Sequence, residues 1–122
     1  KEEALHEFFS SFGWTAYEEN AVPTGTDAPS YPYITYSMAG DGFGEEVALT
    51  MNLFTRSYSW STANAKAEVI RNRISMGGTI LQTDSGPLWV KCGSPFSQSM
   101  GDPNDNMIKR KYINIIVESL AD

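Results

Sequence analysis

With 122 residues, of which 41% are hydrophobic and 20% charged, the chain has the size and composition of one globular domain, able to bury roughly two-thirds of its unfolded surface without staples. A net charge of −6 opposes adhesion to nucleic acid or anionic lipid, because such binding rests on Lys and Arg neutralising phosphates. The single cysteine, Cys92, excludes an internal disulfide framework and a multi-cysteine metal site, and no apolar run approaches the roughly 20 residues that cross a bilayer.

The chain begins at Lys1 rather than at a methionine, which leaves open what precedes it. From Lys1 to Phe12, Leu5, Phe8, Phe9 and Phe12 recur at helical spacing, and Glu2, Glu3 and Glu7 sit where a helix dipole favours acids. A short amphipathic helix ended by Gly13 is predicted. His6, the only histidine, falls among glutamates on its polar side and has no local nucleophile or acid partner, so it reads as a surface residue. Ala21 to Pro32 brings three prolines, a glycine and small polar residues and is predicted to be a long loop, a first candidate contact site. Tyr33 to Met38 alternates as a strand.

Gly40, Gly42 and Gly44 then imitate a phosphate loop, but they join two strands rather than a strand and a helix, and Glu45 and Glu46 would repel a phosphate. A glycine-rich hairpin connection is predicted, with Phe43 at its tip. From Glu46 to Phe54 apolar and polar residues alternate, placing Val47, Leu49, Met51 and Leu53 on one buried face. After Thr55 to Trp60 the period changes to that of a helix, with Ser61 or Thr62 as cap, Ala63, Ala67, Ile70 and Ile74 as its stripe, and Met76, Gly77 and Gly78 as its stop.

Thr79 to Thr83 and Leu88 to Cys92 form a predicted hairpin about Asp84 to Pro87. Cys92 lies at a strand end before Gly93 and reads as an inert, half-buried thiol. Gly93 to Asn106 is predicted to be a second long polar loop. Its Asp102, Asn104 and Asn106 imitate a calcium loop, but Met107 stands where glycine is required and Ile113 where the closing glutamate belongs. Lys109, Arg110 and Lys111 are the one basic cluster, read as a solvated strand edge that guards against stray pairing. The last strand carries Ile113, Ile115 and Val117 on one face and Tyr112, Ile116 and Leu120 on the other, which suggests a central place in the sheet or an outer face covered by something else. The fold class expected is α+β, one domain over residues 1–122, with a mostly antiparallel or mixed sheet of about four to five strands packed by two helices.

The order of segments, with the strand YPYITYS, the run EEVALTMNLFTRSYSWSTANAKAEVIRNRI, the phrase GGTILQ before an aromatic-bearing strand, and the closing KRKYINIIVE, resembles the tail terminators, small tail-completion or head-tail joining proteins of long-tailed bacteriophages. The resemblance spans nearly the whole chain and lies in arrangement, without a catalytic signature. It implies a virion structural protein with no enzymatic activity, cofactor or metal. Such a protein forms a ring of itself, usually a hexamer, on the head-proximal end of the tail tube, assembled in the bacterial cytoplasm. It ends tube polymerisation, meets the tail tube protein and the head-tail connector or stopper protein, and lets DNA pass its lumen without specific binding or any membrane contact. Phe43, Tyr58, Trp60 and Phe96 are the candidate assembly contacts, and Glu45, Glu46, Asp102 and Asp105 the candidate acidic residues of the lumen. A head-side connector or stopper, a tube component and, further off, a small ligand-binding domain are the competing expectations.

Overall fold

The hydrophobic stripe of the first twelve residues does form a helix, α1 (Glu2–Ser10), with Leu5, Phe8 and Phe9 buried along one side and Phe12 buried just beyond its end. The structure is a computed structural model that describes residues 2–37, 47–75, 77–83 and 86–120. Gly13, at φ 90°, reverses the chain where a side chain would be strained, and β1 (Thr15–Glu18) follows. Two single 3-10 turns, Glu19–Ala21 and Gly25–Asp27, break up the predicted long loop, the first closed by the Glu18 carboxylate accepting from the Asn20 amide at 2.9 Å. Then come β2 (Tyr33–Tyr36), β3 (Val47–Arg56), α2 (Ser61–Ile74), β4 (Thr79–Thr83), β5 (Gly86–Gly101) and β6 (Ile108–Ser119).

The α+β class holds, but the described residues form one sheet of six strands, not four to five, in the order β1-β2-β3-β6-β5-β4. β1 runs parallel to β2 and every other pairing is antiparallel. The missed strand is β1, which has only four residues and no full alternation to betray it; β5 is also longer than expected and absorbs most of what reads as a polar loop. Its register against β6 shifts between Cys92 and Ser97, a bulge that accommodates Pro95, which has no amide hydrogen to give a ladder. Asn114 Nδ2 donates to the Pro95 carbonyl at 2.8 Å and anchors the bulge from the neighbouring strand.

Alternation decides what each strand gives to the core. Ile34 and Tyr36 of β2, Leu49, Met51 and Leu53 of β3, Ile113, Ile115 and Val117 of β6, and Leu88 and Val90 of β5 form one buried cluster with the apolar stripes of both helices. Both helices therefore lie on the same, inner face. On α2 the stripe is Ala63, Ala67, Ile70 and Ile74, as the spacing predicts, and the alanines let its first half lie close to the strands. α1 touches both edge strands, β1 and β4, so the sheet curls around it. The helices are tied end to side: Lys66 Nζ donates to the Phe12 carbonyl at 2.7 Å and Arg73 Nη1 to Ser11 Oγ at 3.1 Å, cations at a helix C-terminus.

Two further expectations are corrected. Trp60, not Ser61 or Thr62, occupies the N-cap of α2, and it supplies no side-chain acceptor. The chain leaves α2 at Ser75, whose φ of 63° is the described residues' single positive value outside glycine, before Gly78 at 84° completes the turn. Met76 lies outside the described residues.

Candidate assembly surface

The central position expected for the last strand is what the structure has: β6 stands between β3 and β5. The basic cluster at its start is consequently no edge guard. Arg110 sits on the outer face, where its Nε donates to Asn52 Oδ1 at 2.7 Å, and Asn52 Nδ2 donates to Thr35 Oγ1 at 3.3 Å. Lys111, one residue on, points to the inner side and donates to Asn64 Oδ1 of α2 at 2.9 Å and Ser99 Oγ at 3.0 Å. Lys109 bonds the Asn106 carbonyl and lies over the Trp60 ring.

The outer face of the sheet, on which neither helix packs, is aromatic at one end. Tyr33 and Phe54 are cross-strand partners whose rings stack at 5.0 Å and 17°, Tyr31 and Tyr17 lean against Tyr33 at 5.3 and 6.1 Å, and the Arg110 guanidinium rests over Tyr112 at 5.1 Å. The Thr35–Asn52–Arg110 relay runs beneath these rings and is buried at its first two members, 6% exposed each. Burial of Tyr33, with its bond to Tyr31, pushes its phenol above the ordinary value. At the next strand Met100, 45% exposed, is paired with Arg110. Tyr, Phe, Met and Arg on an exposed face are the residue types that enrich the centres of protein interfaces. Sequence reasoning missed Asn52, Thr35 and Arg110 as a unit; the signal was there in the alternation, which puts Arg110, Tyr112 and Asn114 on one side of β6.

The predicted site residues divide. Phe43, Glu45 and Glu46 lie outside the described residues. Tyr58, 76% exposed, and Trp60 lie on the β3–α2 link, which the fold brings against the β5–β6 turn: the Ser57 amide donates to the Met107 carbonyl at 2.7 Å, and Arg56 Nη2 meets Asp105 Oδ2 at 3.2 Å. Tyr58, Trp60 and Asp105 thus share one end of the sheet. Phe96 does not join them; it lies within the bulge, is 7% exposed and belongs to the core, with the Arg71 guanidinium over its ring at 4.9 Å. As an assembly contact it is corrected to a core residue. Asp102 accepts from the Asn104 amide at 2.7 Å in the turn. Asp105 accepts from the Met107 amide, and this bond, seconded by Arg56, holds its carboxyl below the ordinary range.

His6 is exposed, as read, yet its Nδ1 lies 2.7 Å from the hydroxyl of buried Tyr36. Cys92 borders a cleft of about 420 Å3 with Arg71, Ser75, Trp89 and Lys91; burial raises its thiol, only partly opposed by Arg71. A shallower cleft lies between Trp14 and the outer side of α2, about Lys66 and Val69. What the described residues define is a single curled sheet with both helices on one face and no helix on the other. No family model, curated protein or solved structure matched the chain.

Proposed function

We propose that this chain is a structural subunit of a bacteriophage tail, of the tail-terminator kind, which closes into a ring with copies of itself. The observation that carries the reading is the outer sheet face, with Tyr17, Tyr31, Tyr33, Phe54, Arg110, Tyr112 and Met100 together and no helix packed on it. A ring needs a heterologous interface whose rotation closes, and such a face opposite a differently shaped partner surface suits one. The end cluster of Tyr58 and Trp60 offers a second contact, suited to the tail tube or to the connector. Asp105 is a poorer lumen residue than its sequence suggests, since Arg56 offsets its charge. Asp102 keeps that role.

The test is the mass of the protein against concentration, with electron microscopy of any large species and of tail tubes incubated with it. Rings, or monomers that become rings on tube ends, are expected. Tyr58→Ser and Met100→Ser, both at exposed positions, should weaken assembly while leaving the circular dichroism spectrum unchanged. A monomer at the highest soluble concentration that also ignores tubes overturns the reading. A head-side stopper or a tube component would assemble too, and the neighbour found beside it in whole particles separates these. The cleft at Trp89 and Lys91 favours a ligand-binding domain as the second reading, one that predicts a saturable small-molecule ligand for the monomer.

A further inference from the structure

Between the first turn of α2, the end of β3 and the Tyr31–Pro32 segment lies a cleft of about 200 Å3, lined by Tyr31, Pro32, Thr55, Arg56, Ser57 and Thr62. At about 30 Å3 per water it holds several waters or one small polyatomic ion. Thr55 follows Leu53 on the inner face, the side of the sheet on which α2 packs. It is 2% exposed, and its Oγ1 makes no hydrogen bond among the described residues. A buried hydroxyl left in that state carries a desolvation cost that a bound acceptor or donor removes. Thr55 is one of the residues that line this cleft.

The rest of the cleft favours an anion. α2 is 14 residues long, its N-cap Trp60 gives no side-chain acceptor, and its first turn holds no acid. Ser59 Oγ receives the Ser61 amide at 3.0 Å and the Trp60 carbonyl receives that of Asn64 at 2.9 Å; the amides of Thr62 and Ala63 have no acceptor among the described residues. These amides and the helix dipole attract negative charge. Arg56 spends Nη2 on Asp105 and keeps Nε and Nη1 without a partner among the described residues. Lys109 stands nearby over Trp60, 5.7 Å from the ring centre. Asp105 is the opposing charge, and Arg56 already neutralises it.

We propose that this cleft binds a small oxyanion, a phosphate group either free or carried by a larger molecule, with Arg56 as its charge partner and Thr55, Thr62 and the open amides of α2 as its donors. The probe is inorganic phosphate on the full chain, followed by thermal unfolding and isothermal titration against sodium chloride at equal ionic strength and pH. Phosphate should raise the melting temperature along a saturating curve that chloride does not reproduce. Thr55→Val keeps the shape of the side chain and removes its hydroxyl; it should weaken phosphate about fivefold, and Arg56→Gln about tenfold or more. Asp105→Asn, which frees Arg56, should tighten it. Lys66→Gln, bordering a different cleft, should leave the affinity as it was. A nucleoside 5′-monophosphate that binds more tightly than phosphate identifies a carried group, and equal or weaker binding identifies the free anion. Equal effects of phosphate and chloride, or unaltered phosphate affinity in the well-folded Thr55→Val and Arg56→Gln proteins, overturn the proposal and leave the cleft to water.

Discussion

Asn52 is the hinge of the outer face, because its one side-chain amide serves Thr35 on one side and Arg110 on the other. Replacing it with alanine strips an acceptor from a guanidinium and a donor from a buried hydroxyl, and should cost about 1–3 kcal/mol in urea denaturation. Ser75 and Gly78 make the opposite pair. Ser75 holds a backbone conformation suited to glycine, and its Oγ gains only a 3.4 Å contact with the Gly78 carbonyl, so Ser75→Gly should stabilise the protein by about 1 kcal/mol. Gly78→Ala should cost more than about 2 kcal/mol, since a Cβ there would collide with Trp89 Nε1 and meet the Val90 carbonyl at 2.7 Å, at a φ of 84°. Titration separates two other residues. The raised phenol of Tyr33 contributes stability that is whole below pH 10.0 and fades as pH climbs through its folded value, so Tyr33→Phe should flatten alkaline unfolding. The lowered carboxyl of Asp105 contributes above pH 3.8 and fades as pH falls through its folded value, so Asp105→Asn should flatten the acid limb.

At the scale of elements, α2 and β3 are the parts most legible in the sequence, because each has one period and one buried stripe. Every predicted member of the α2 stripe is buried, and Leu49, Met51 and Leu53 are wholly so. Ile70→Ala, at the centre of that contact, should destabilise by about 2–5 kcal/mol, while Val69→Ala on the exposed side should cost little. β5 was illegible for the converse reason. Gly93, Ser94 and Pro95 are turn formers, and only β6 alongside, accepting the strand on both sides of a bulge, overrides them. Phe96 lies inside that bulge; in a segment read as a loop it has no face, whereas alternation continued from Leu88 and Val90 places it on the inner one. Thr55 was hidden differently, since a threonine at a strand end reads as ordinary until its unmet hydroxyl is located. Tyr58 and Trp60 were legible as residue types, but their approach to Asp105 depends on pairing between β3 and β6, which local patterns do not carry.

For the whole molecule the decisive feature is the strand order. β3 is bonded on one side to β2, which precedes it, and on the other to β6, with Val47 opposite Val117 across an intervening helix and hairpin. A chain cut after Gly101 would leave the inner faces of β3 and β5 without the strand that joins them and should show little cooperative unfolding by circular dichroism. The placement of β6 also dictates timing. While the ribosome is still translating β5, the earlier half of the sheet and the later half have no common partner, so the nascent chain waits with its apolar strands unsatisfied until the stretch through Ser119 emerges. Folding of this protein therefore waits for β6, and a chain truncated before Ser119 should go to aggregation or proteolysis, not to a partly working product.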